Sequence, residues 1–113
     1  MRCLLSDGSA YHGKVLGSDK DTDLALVQLV PDLGGKLSEA LSVAVLGDSS
    51  KVTEGDFVMA MGAPWGLSRS VSMGIVSSTR RYLPENSQYS LWLQTDAAIS
   101  PGNSGGPLIN TAG

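Results

Sequence analysis

Short apolar stretches alternate with clusters of glycine, proline and small polar residues along the whole chain. Their spacing of roughly 8–12 residues is that of an all-β sandwich or barrel, with helix as the minority state. Met1–Leu5 and Ala10–Leu16 flank Ser6-Asp7-Gly8-Ser9, and an Asp-Gly pair between two apolar runs predicts a hairpin. Leu24–Val30 is an almost continuous apolar run closed by Pro31; its length and Val/Leu content favour a buried strand. The loop Pro31–Ser38, with Gly34-Gly35, leads to a short strand over Val43–Leu46, and the polar stretch Gly47-Asp48-Ser49-Ser50 is the best candidate boundary. Beyond it, Phe57–Met61, Ser70–Ser77 and Leu91–Thr95 read as strands. They are separated by the bend Gly62-Ala63-Pro64-Trp65-Gly66 and by a polar excursion over Arg80–Ser90, in which Arg80-Arg81 reads as a solvated turn. No repeat of solenoid or propeller length is visible.

Composition narrows the functional classes. With 113 residues the chain holds at most one small domain. Its net charge is −3 and its basic residues are scattered, so it lacks the basic stripe of a nucleic-acid binder. No apolar run approaches the ~20 residues needed to span a bilayer, and residues 1–15 lack the apolar core of an export signal. Cys3 is the one cysteine and His12 the one histidine, which excludes an internal disulfide and a metal cage of the usual ligands. No cofactor is expected.

The chemistry concentrates near the C-terminal end. Gly102-Asn103-Ser104-Gly105-Gly106 fits the G-x-S-x-G pattern, in which glycines allow a sharp bend that exposes a serine hydroxyl and leaves backbone N–H groups free for an oxyanion. Alone, such a cluster is more often a turn. An α/β-hydrolase needs a helix and two further triad members after the serine, and only nine residues follow Ser104. The longer run from Gln94 through Asp96, Ile99 and Ser104 to Leu108, however, closely resembles the nucleophile region of the HtrA/Deg family of chymotrypsin-fold serine proteases. Leu5-Ser6-Asp7-Gly8, Asp21–Leu26, Gly55-Asp56, Ala60–Leu67 and Gly74–Ser77 agree with the family in the same order.

That resemblance implies an all-β, chymotrypsin/trypsin-like double β-barrel, incomplete at both ends. Residues 1–50 would be the remainder of the N-terminal barrel and 51–113 the first part of the C-terminal one. It further implies a serine endopeptidase with Ser104 as nucleophile, the N–H groups of Gly102 and Ser104 as oxyanion hole, and Asp23 as the acid that orients a histidine. By spacing alone Asp19 and Asp21 compete with Asp23; only the resemblance selects among them. Ala98 and Ile99 would line the specificity pocket. Ala98 stands where trypsin relatives carry an acid, which implies small or medium aliphatic side chains in that pocket. Asp96 is read as structural and Trp65 as a rim aromatic. Implied partners are unfolded or extended polypeptides, with a homo-oligomer or a complementing chain as further candidates. The family's locations are the bacterial periplasm or envelope and eukaryotic organelles. The family's base is a histidine well upstream of the acid, and His12 falls instead on a strand of the hairpin. The chain therefore reads as an internal fragment whose base lies elsewhere. The alternative is a catalytically inactive protease-like chain that binds extended peptides by strand addition.

Overall fold

A computed structural model of the chain describes residues 1–31, 35–39, 41–63, 69–85 and 90–113. The chain forms two compact units, Met1–Leu46 and Gly47–Gly113.

The first unit is an antiparallel meander of β1 (Arg2–Leu4), β2 (Ala10–Asp19) and β3 (Leu24–Val30), in that spatial order. The predicted hairpin forms: Leu5 N–H donates to Ser9 O at 2.9 Å and Gly8 N–H to Leu5 O at 3.0 Å. Asp7 Oδ1 accepts from Ser9 N–H at 2.8 Å inside the turn. One face of this sheet closes over Gly13, where a Cβ would lie 2.6 Å from Met1 Cγ and 2.8 Å from Cys3 Sγ; a glycine mid-strand here marks close approach of neighbouring side chains. Tyr11 is buried on the same face, paired with Cys3, and its hydroxyl accepts from Ser38 N–H at 3.4 Å. β2 runs past the expected Leu16 because pairing with β3 resumes at Gly17 after a register shift, the signature of a β-bulge.

Val43–Leu46 is not a strand. Val43, Val45 and Leu46 are 88–94% exposed, and no neighbouring strand among the described residues takes up their backbone groups. An apolar run becomes a strand only where a ladder partner exists.

The second unit opens with a 3-10 turn, Ser49–Lys51, capped by Asp48, whose Oδ1 accepts from Ser50 N–H at 3.0 Å. β4 (Phe57–Gly62), β5 (Ser70–Tyr82), β6 (Leu91–Thr95) and β7 (Leu108–Asn110) follow, in spatial order β6-β5-β4-β7, all antiparallel. Two expectations are corrected. β5 continues through Arg80-Arg81, which are strand and not turn, because Arg81 pairs with Trp92 and Tyr82 with Leu91. The ladder to β6, rather than hydropathy, sets its length. β7 has no counterpart in the sequence pattern; three residues become a strand by pairing with Val58, Met59 and Ala60. Neither sheet closes on itself among the described residues.

Glu54, in the turn before β4, ties that turn to the middle of β5. Its Oε1 accepts from Thr79 Oγ1 at 2.7 Å and from Thr79 N–H at 2.9 Å. The Thr79 hydroxyl, more than its amide, holds the Glu54 carboxyl below its ordinary range.

The two faces of the second sheet differ. Directly paired residues share a face, so Val58 with Gly74, Ala60 with Ser72 and Gly62 with Ser70 form one patch of mostly small residues. Phe57, Val71 and Met73 stand exposed on the other face. Among the described residues, Val58, Ala60, Val76 and Ala97 are the buried apolar residues of this unit. The patch matters because the segment that leads to Ser104 lies across it.

Candidate active site

Small side chains let the backbone of residues 96–103 settle directly on the sheet. A Cβ on Gly74 would overlap Asp96 Oδ1 and the Ala97 amide, and would lie 2.8 Å from Ala97 Cα. Asp96, the residue read as structural, accepts from Ile75 N–H at 2.7 Å. Thr95 Oγ1 donates to Ile75 O at 2.8 Å and accepts from Ala97 N–H at 3.1 Å. Ser72 Oγ donates to Ala98 O at 2.6 Å. The segment is thus bonded to β5 at successive points.

Two tight turns follow back to back. Asn103 N–H donates to Ser100 O at 3.0 Å, closing a turn with Pro101 and Gly102 at its corners. Gly106 N–H donates to Asn103 O at 2.8 Å, closing a second with Ser104 and Gly105 at its corners. Gly102 has φ +102° and Gly105 φ +81°. Positive φ at the second corner is what a type II turn demands, and glycine adopts it without steric cost. Gly102 and Gly105 therefore serve backbone geometry, and Ser104 is left exposed at a turn corner.

The double turn is clamped to β4. Met61 N–H donates to Pro107 O at 3.1 Å, while Gly106 sits so close that a Cβ would overlap Met61 O and lie 2.9 Å from Asn103 O. Both obstacles are backbone, so neither swings aside. Gly106→Ala is expected to lower the unfolding midpoint of the protein by about 5–10 °C, the scale of 1–2 kcal/mol in a small domain. Thermal denaturation followed by circular dichroism checks this.

Gly102 and Ser104 line one concavity of about 440 Å³ together with Met61, Gly62, Ala63 and the Gly105–Pro107 segment. Among the described residues, neither the Gly102 nor the Ser104 amide donates to a protein acceptor. Ala98 and Ile99 do not line it; Ile99 is 61% exposed. Of the loop after β4, positions 64–68, Trp65 included, lie outside the described residues.

Asp23 belongs to the first unit, as the last residue of the turn between β2 and β3. It is exposed and has φ +56°, alone among the described non-glycine residues in being positive; aspartate is among the residues that tolerate this region. Its neighbour Asp19 is used differently. Asp19 Oδ2 accepts from Thr22 Oγ1 at 2.8 Å and Oδ1 from Asp21 N–H at 3.2 Å, and these bonds, the threonine hydroxyl first, hold its carboxyl below the usual range. His12 is exposed on β2, paired with Val30 and Arg2.

Sequence reasoning missed Ser70, Ser72 and Asn103 as residues that build the loop's seat. A signal exists in retrospect: Ser70, Ser72 and Gly74 recur with period two on one strand, which marks a face that accepts close backbone approach.

An all-β chain that exposes a serine on a doubly turned glycine loop, with unengaged amides beside it, has the makings of a serine peptidase. Residues 2–113 match the family model described as a trypsin-like peptidase domain, and the chain belongs to that family. Its relatives are HtrA/DegP proteins. "Probable periplasmic serine endoprotease DegP-like" of Pseudomonas putida is 45% identical over 109 residues, covering 96% of this chain and 21% of the relative. "Probable serine protease do-like" of Buchnera aphidicola is 41% identical with 96% and 22% coverage. Among solved structures, "HtrA-type protease AlgW with decapeptide" superposes with a TM-score of 0.82 at 38% identity, over 98% of this chain and 32% of that one. The same protease "with tripeptide" also gives 0.82, at 41% identity over 98% and 35%. The expected trypsin-like fold and HtrA/Deg resemblance both hold. The chain spans about a fifth of the length of the curated relatives it matches.

Proposed function

We propose that this chain carries the nucleophile and the triad acid of an HtrA-type serine endopeptidase. The observation that carries the reading is the double turn, which presents Ser104 at a corner while Gly102 and Ser104 line the same concavity.

In this reading the Ser104 hydroxyl attacks a peptide carbonyl as a histidine from outside these 113 residues takes its proton. The carbonyl oxygen becomes an oxyanion, stabilised by the N–H groups of Gly102 and Ser104. Collapse expels the amine with the proton returned by the histidine, leaving an acyl group on Ser104, and water then releases it by the same sequence. Asp23 holds the histidine in the right tautomer. Ala98 and Ile99 contribute to a pocket for small or medium aliphatic side chains, and the substrates are extended or unfolded polypeptides. Residues 1–50 and 51–113 supply parts of the two barrels, and a homo-oligomer or complementing chain completes the assembly.

A second reading, a non-catalytic peptide binder, is favoured by one feature: the single histidine, His12, sits on a strand away from the expected base position. A fluorophosphonate probe separates the two in the full-length protein. Labelling of Ser104, seen as one adduct by peptide mass mapping, is expected for the enzyme. Saturable binding of an extended peptide with no adduct would instead establish the binder.

A further inference from the structure

We propose that Ser70 is a positioning residue for Ser104 and acts through the side chain of Asn103, an inference that rests on the reading of Ser104 as nucleophile. Asn103 is shared by the two turns: its N–H closes the first and its C=O closes the second. Whatever fixes Asn103 fixes the plane of the peptide that leads into Ser104. The backbone bonds alone leave that shared residue free to rock, because both lie within the loop. Its side chain supplies the anchor to the sheet.

The Asn103 side chain fills the space that Gly62 leaves empty, where a Cβ would lie 2.8 Å from Asn103 Cγ and 2.9 Å from Asn103 Cα. Ser70, paired with Gly62 across the β4–β5 ladder, donates its hydroxyl to Asn103 Oδ1 at 3.3 Å. Both partners are half-buried, so water competes less for the bond than at an open surface. Ser70 does not line the concavity. Removing its hydroxyl therefore leaves the peptide-contacting surface in place and alters only where Ser104 stands. Displacements of this kind act on the chemical step, and about 1 Å can cost up to 10²-fold.

The test uses the full-length protein and a quenched-fluorescent peptide. Ser70→Ala is expected to lower kcat about tenfold while KM stays within about twofold, with the unfolding midpoint unchanged. Ser70→Thr, which keeps the hydroxyl, restores kcat. Because the effect runs through Asn103, Ser70→Ala added to Asn103→Ala is expected to cost nothing further. Amide hydrogen exchange supplies a readout independent of turnover: in Ser70→Ala, protection of the Asn103 and Gly106 amides, which close the two turns, falls while that of 57–62 persists. An unchanged kcat and unchanged exchange, additive losses with Asn103→Ala, or failure of Ser70→Thr to restore kcat would overturn the assignment. Ser104→Ala separates this from failure of the underlying reading: full hydrolysis by that variant removes the nucleophile, whereas its loss beside an unaffected Ser70→Ala removes only the positioning role.

Discussion

Ser104→Ala is expected to lower kcat/KM for peptide hydrolysis by about 10⁴-fold or more, about 5.5 kcal/mol of transition-state stabilisation. In the proposed mechanism the serine supplies the atom that bonds to the substrate carbonyl, and alanine has none to offer. What survives is the smaller contribution of the oxyanion amides and of substrate binding, on the order of 10³–10⁴ over water. The variant should fold as the parent does. Ser104 is exposed at a turn corner that needs no positive φ, and among the described residues its hydroxyl makes no hydrogen bond that alanine would forfeit. Steady-state hydrolysis, with thermal denaturation and peptide binding measured in parallel, checks all three expectations. Retained hydrolysis in a well-folded variant would reject Ser104 as nucleophile.

Asp23→Asn is expected to reduce kcat by about 10⁴-fold, the loss found in the Ser-His-Asp template when the acid becomes an amide and the imidazole is held in the wrong tautomer. Asparagine suits this test for a structural reason. At φ +56° most side chains would strain the turn before β3, whereas asparagine accepts that region as readily as aspartate. The substitution removes the charge while leaving the backbone undisturbed, so the unfolding midpoint should hold. Asp19→Asn is the informative contrast. That carboxylate is engaged with Thr22 and the Asp21 amide, and its change is expected to leave kcat within about twofold. If Asp19→Asn, rather than Asp23→Asn, abolished turnover, the acid would have to be reassigned.

Much of the fold is legible from local pattern. Leu24–Val30 and Leu91–Thr95 appear as strands with the bounds the apolar runs suggest, because each is an apolar run closed by a breaker or small polar residues; the burial expected of Leu24–Val30 does not follow, since Leu24 and Leu26 stand exposed. The Asp-Gly hairpin is legible because its turn chemistry is self-contained. The failures share one cause. Val43–Leu46 looks like a strand and is not, while Arg80–Tyr82 and Leu108–Asn110 are strands without looking so. In each instance the deciding quantity is a partner remote in sequence, such as Trp92 for Arg81 or Met59 for Ile109.

The candidate site divides in the same way. Positive φ at the first and fourth positions of Gly102-Asn103-Ser104-Gly105-Gly106 is a property of local backbone sterics, so the glycines alone announce a sharp exposed loop with a serine at its corner. The third glycine, Gly106, is required by Met61 O, an atom on a strand over forty positions earlier. The same holds for Gly62 beneath Asn103 and for Ser70 and Ser72, whose hydroxyls seat the loop. By itself the sequence determined the all-β character, the turn that bares Ser104 and, through its resemblance, the family. Only the tertiary structure decided how strand ends are paired and which small residues hold the loop, because hydrogen bonds and backbone contacts across a sheet depend on neighbours that no local stretch of chain contains.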